Sequence, residues 1–149
     1  MRITADMLIE RGACESEAER FLEVWPRGAL VRRATLMKAV RLGFDIRWFA
    51  EHCLSAPMWR EFDRADTAAS DEYNKIGHAS FARMGKRLAS TLTERAEDDV
   101  RAKHTHTMDV AWARYEKAHA DALWAALQAD KAKGRGLWAQ DAQQGEGAN

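Results

Sequence analysis

Residues 58–88 read MWREFDRADTAASDEYNKIGHASFARMGKRL, and from Met58 through Lys133 there is no proline and only two glycines, Gly77 and Gly85. Ala, Arg, Lys, Glu and Leu, the side chains that lose least entropy in a helix, dominate the stretch, so it is expected to be mostly helical. As one straight helix it would reach about 110 Å at 1.5 Å per residue, far beyond the width of a small domain. It must therefore fold back on itself or pair with another chain.

The apolar positions Phe62, Ala65, Ala69, Tyr73, Ile76, Ser80, Met84 and Leu88 advance in steps of three and four. That spacing is nearer an eleven-residue repeat than a strict heptad, which favours a straight or slightly right-handed seam. A second amphipathic stretch carries Trp112, Tyr115, His119, Ala122, Leu123, Ala126 and Leu127, with alanines that permit close approach of a neighbour. Between the two lies the polar segment Glu94 to Thr107. Thr105 and Thr107 are weak helix formers, and a break is expected within 94–107.

Upstream, the chain punctuates itself into short helices. Thr4 can cap a turn that stops at Gly12; a second helix opens near Ser16, carries Phe21, Leu22, Val24 and Trp25, and ends at Pro26 and Gly28. A third runs from about Arg33 to Leu42 with Leu36, Met37 and Val40 inward. Asp45 caps a fourth through Trp48, Phe49 and Leu54, and Ser55-Ala56-Pro57 opens the long helical region. The pattern predicts an all-α fold: a compact N-terminal cluster at 1–55, a long helical hairpin or coiled-coil-like extension at 56–133, and a flexible tail at 134–149 in which Leu137 and Trp138 are the last anchors.

Of 149 residues, 46% are apolar and 31% charged, with 23 Lys plus Arg against 23 Asp plus Glu. This balance supplies no general attraction to nucleic acid or to an anionic membrane. No run of about 18 apolar residues and no secretory leader pattern is present, so a soluble, cytoplasmic protein is expected. Cys14 and Cys53 do not make a disulfide framework and read as two reduced thiols acting as small hydrophobes in helix packing.

One set of residues resembles a known group. Gly12-Ala13-Cys14, Trp25-Pro26-x-Gly28, Leu42-Gly43-x-Asp45-Ile46-x-Trp48 and Leu54-Ser55-Ala56-Pro57 are similar to the N-terminal region of small uncharacterised phage and prophage proteins. In those an Ala-Pro junction leads into helical units built on Glu-Tyr-x-Arg-Ala. Glu61–Ala65, Glu72–Ile76 and Arg114–Ala118 look like degenerate copies here. The resemblance spans roughly the first 75 residues and implies a mobile-element origin and a helical extension. It carries over no catalytic residue.

Chemistry-bearing motifs are sparse. His104-x-His106 with Glu97 and Asp109 offers metal-ligand types, but i, i+2 side chains point about 200° apart on a helix, so solvated histidines at a helix break are expected and no metal. His52, His78 and His119 are isolated. No nucleophile elbow, phosphate loop or framed carboxylate pair is present, and neither enzyme activity nor a cofactor is expected.

Two features could meet nucleic acid. Ala39, Gly43 and Phe49 match a helix-turn-helix pattern within Thr35 to Leu54, and Arg83, Lys86 and Arg87 share one helix face. The six tryptophans point instead to a protein partner or self-association, because tryptophan is enriched at interface hot spots. Trp112 and Trp124 lie about 120° apart around a helix, so one of them is expected at a partner surface. The expectation is a non-enzymatic phage or prophage protein-binding or oligomerisation module. Its target would be a host factor, such as a defence complex, or another copy in a phage assembly; the competing class is a nucleic-acid binder.

Overall fold

The computed structural model describes residues 1–139. Among them are six helices and one two-residue ladder, and the protein is all-α. The chain divides into two compact units: Met1–Arg64 together with the segment from Ala120 onward, and Ala65–His119.

In the first unit β1 (Arg2–Ile3) pairs antiparallel with β2 (Ala29–Leu30), with Ile3 opposite Ala29. The ladder was not legible as a strand pattern. Arg2 locks it by donating from Nη1 to the carbonyls of Arg27 (2.8 Å) and Gly28 (2.9 Å). Helix α1 (Ala5–Glu10) starts at Thr4, whose hydroxyl accepts from the Met7 amide at 3.3 Å. Helix α2 (Glu15–Val24) opens near Ser16 as expected, with Cys14 at the N-cap position and no side-chain capping bond. Helices α3 (Arg33–Arg41) and α4 (Ile46–Cys53) flank a tight turn. There the Gly43 amide donates to Val40 (2.9 Å) and the Phe44 amide to Ala39 (3.1 Å), the paired bonds of a Schellman close. Gly43 adopts φ +71°, which a side chain would oppose. Asp45 then caps α4 by accepting from the Trp48 amide at 2.8 Å.

Helix α5 (Ala56–Leu88) and helix α6 (Glu94–Ala132) each contribute to both units. Phe62 of α5 and Ala120, Leu123, Ala126 and Leu127 of α6 join the core of α1 to α4, and Leu137 closes it at 1% exposure. The compact unit therefore does not end at residue 55. Its hydrophobic cover comes from α6, more than fifty residues further along. Leu137 and Trp138, the expected last anchors, pack with this core, so the ordered chain runs past residue 134; the rest of the expected tail, from Gln140 onward, lies outside the described residues.

The chain reverses at 89–93, not within 94–107, and α6 runs without interruption through that polar segment. Thr93 supplies the start, its hydroxyl accepting from the Ala96 amide at 3.4 Å. Thr107 satisfies its hydroxyl within the helix by donating to the Lys103 carbonyl at 2.9 Å.

In the second unit α5 and α6 run antiparallel. Asp66 meets His119, Gly77 lies against Met108, and Ser80 meets His104. The seam follows the expected spacing, with one exchange: Ala65 is exposed, and Asp66, 5% exposed, occupies the inward position. Carboxylate replaces methyl there because a histidine stands opposite.

Candidate functional site

The second unit carries the most organised surface. Asp66 Oδ1 accepts a close hydrogen bond from His119 Nδ1 and a longer one, 3.3 Å, from the Tyr115 hydroxyl. Both members of the close pair are buried, so the carboxylate and ring supply partners that water does not. His119 thus lies on the seam, as its place in the second amphipathic stretch implied, and is not isolated, since Asp66 is its partner. Above it Tyr73, Trp112 and Tyr115 form a triangle of rings with centroids 5.4–6.0 Å apart. The Tyr73–Trp112 pair is edge-on at 72°, the quadrupole-favoured arrangement.

Trp112 is 48% exposed, its indole N–H held by Glu116 at 3.0 Å. It is an aromatic side chain fixed on one edge and open on the other. Ala111, not Trp112, takes the buried place beside it. Trp124 belongs to the first unit and is half-buried against the core there.

Farther along α5, Phe81 is 66% exposed and lies edge-on to His104 at 6.3 Å. His104 Nδ1 bonds Ser80 Oγ at 2.9 Å, which makes it a second polar clasp across the seam and not a histidine at a break. His106 points away and is exposed. No group of three or more His, Cys, Asp or Glu among the described residues is disposed to hold a metal. Arg83, Lys86 and Arg87 are exposed on the same helix; Arg83 Nε donates to the Ala79 carbonyl at 3.2 Å. Leu92, in the turn, is 97% exposed. Phe81 and Leu92 were not singled out from sequence, since a lone apolar residue on a polar face carries no periodic signal.

In the first unit, the helix-turn-helix candidate does form two helices and a tight turn. Its second helix, however, spends Arg47 on Asp63, with the guanidinium also 5.3 Å from the Trp59 ring. The neighbouring exposed positions Asp45 and Glu51 are acidic, which opposes phosphate.

Cys14 is exposed, with its thiol pulled below the usual range by the Ser16 hydroxyl 3.4 Å away and by the backbone amide of Glu17. It is not the packed small hydrophobe expected. Cys53 is buried, and desolvation pushes its thiol up to about 12. Among α1 to α4 lies an apolar cavity of about 370 Å³.

No protein-family model matches this chain, and no curated protein or solved structure matches it either. What fold and surface define is therefore a class: an all-α protein that presents a framed aromatic edge on a pair of long helices. No helix among the described residues is long and apolar enough to cross a membrane.

Proposed function

We propose that this protein is a non-enzymatic protein-binding module whose contact surface is the aromatic edge around Trp112. The carrying observation is that Trp112 stands 48% exposed while Tyr73, Tyr115 and Glu116 hold its orientation. A large ring already ordered loses little entropy on docking, which is what makes tryptophan a frequent anchor of interfaces. Phe81 and the cations Arg83, Lys86 and Arg87 extend the exposed surface of the same unit with apolar and positive character. The likeness of residues 12–57 to phage and prophage proteins supports a mobile-element origin and a cytoplasmic host factor, such as a defence complex, as the target. Self-association through the same edge and a role in phage assembly are the variants of this reading.

A photo-reactive phenylalanine analogue placed singly at positions 112, 81 and 68 tests it. The expected result is one discrete cross-linked product from bacterial lysate at 112 and 81 and none at Ala68, an exposed position off the aromatic edge. Equal products at all three positions, or none at any together with a monomeric mass in light scattering, would overturn the reading. With the partner in hand, Trp112→Ala should weaken binding about 30-fold, on the order of 2 kcal/mol. For the competing nucleic-acid class, the expected sign is affinity that falls steeply with added salt and is lost on neutralising Arg83, Lys86 and Arg87.

A further inference from the structure

The cavity among α1 to α4 encloses about 370 Å³, within the range of small-ligand sites. Phe21, Trp25, Phe44 and Phe49 are among its walls, and they suit an aromatic or alicyclic body. Of its lining residues the only charged ones are Glu17 and Asp45. No lysine or arginine lines it; Arg20 and Lys38 lie over the rings of Phe44 and Trp25, 4.5 and 5.4 Å from the centroids, and leave the carboxylates as the charged groups of the wall itself.

Both carboxylates keep acceptor capacity. Asp45 uses Oδ1 on the Trp48 amide at 2.8 Å and leaves Oδ2. Glu17 meets Arg20 only at 3.4–3.5 Å on the surface, while Arg20 directs its closer bond to the Leu42 carbonyl. We infer that this cavity is a binding site for a small aromatic or alicyclic amine, its ring between the aromatic walls and its protonated nitrogen on the Glu17 and Asp45 carboxylates. The site lies wholly within the first unit and is independent of the aromatic edge proposed for partner binding.

Cys14 also lines the cavity and is the exposed thiol, so its alkylation reports occupancy at this place. The experiment titrates the full chain by calorimetry with three probes sharing one ring: tryptamine, indole and indole-3-acetate. Tryptamine should bind saturably, at least tenfold tighter than indole, with indole-3-acetate weaker still, and should slow iodoacetamide labelling of Cys14. Glu17→Gln, a surface change, should cut the preference for tryptamine over indole by threefold or more while the thermal midpoint stays in place. Filling the cavity with Ala39→Leu should weaken all binding. Lack of saturable tryptamine binding, equal affinity for the three probes, or binding that leaves Cys14 labelling unchanged would each overturn the assignment.

Discussion

Asp130 is fully buried near the end of α6, where the helix dipole is unfavourable to a negative charge. It is stable there because it belongs to α5 in space: it accepts from the Ser55 amide at 2.7 Å and the Ser55 hydroxyl at 2.5 Å, at the positive start of that helix. Gly136 makes the approach possible. It adopts φ +58°, and a Cβ there would fall 2.7 Å from Asp130 Oδ2 and 2.9 Å from the Cys53 carbonyl. Gly136→Ala should therefore destabilise by about 2 kcal/mol or more. Gly85→Ala, in α5 with open space around the new methyl, should stabilise by about 0.5–1 kcal/mol. Urea titration of both variants reads the opposite signs. Cys53 gives a pH dependence of known direction. The unfolded thiol ionises near 9.0 and the folded one near about 12, so between these values the unfolded chain has lost a proton that the folded chain keeps. Its contribution to stability is full below pH 9 and is lost as pH rises through that window, by up to about 1.4 kcal/mol per pH unit. Cys53→Ala should flatten that part of the stability–pH curve, as followed by denaturant titration at pH 8 to 10.5.

At the scale of elements, the seam between α5 and α6 in the second unit is thin in apolar bulk. Gly77 faces Met108, Ala111 is the only buried apolar residue of 65–119, and two polar clasps, Asp66 with His119 and Ser80 with His104, cross the seam among half-buried side chains. Such clasps cost desolvation yet penalise every slipped register, because a one-turn shift strands a buried carboxylate. His119→Ala should destabilise by about 3 kcal/mol, while the double change Asp66→Leu with His119→Leu should cost markedly less and lower the specificity of pairing. Thermal melts of the single and double variants, with light scattering for misassembly, separate the two effects. The uninterrupted course of α6 makes a further distinction. Thr105→Pro, in mid-helix, should cost about 3 kcal/mol and reduce helical circular dichroism, whereas Leu92→Ser, in the turn and 97% exposed, should leave both unchanged. The opposite ranking would return the break to 94–107.

For the molecule as a whole, the first unit is assembled from the two ends of the chain, with residues 65–119 inserted between them. A chain ending at residue 58 lacks Phe62, Leu123, Leu127 and Leu137 and should melt without cooperativity. Joining Arg64 to Ala120 through a short Gly-Ser linker should restore a cooperative transition, since it restores the core. A non-cooperative melt of that joined chain would contradict the division. What the amino-acid sequence determined was local: the caps at Thr4 and Asp45, the stops at Gly12 and Gly43, the helical character of 58–133 and the spacing of its seam, because these depend on propensity and on neighbours three or four residues away. The tertiary structure alone decided that Asp66 rather than Ala65 turns inward, that Asp130 holds the residue that precedes α5, 75 positions earlier, that Trp112 is open while Trp124 packs against the core, and that α6 completes the N-terminal core. Each of these depends on which distant side chain stands opposite, and the energy of burying a polar or aromatic group is set by that partner and not by the residue's own place in the chain.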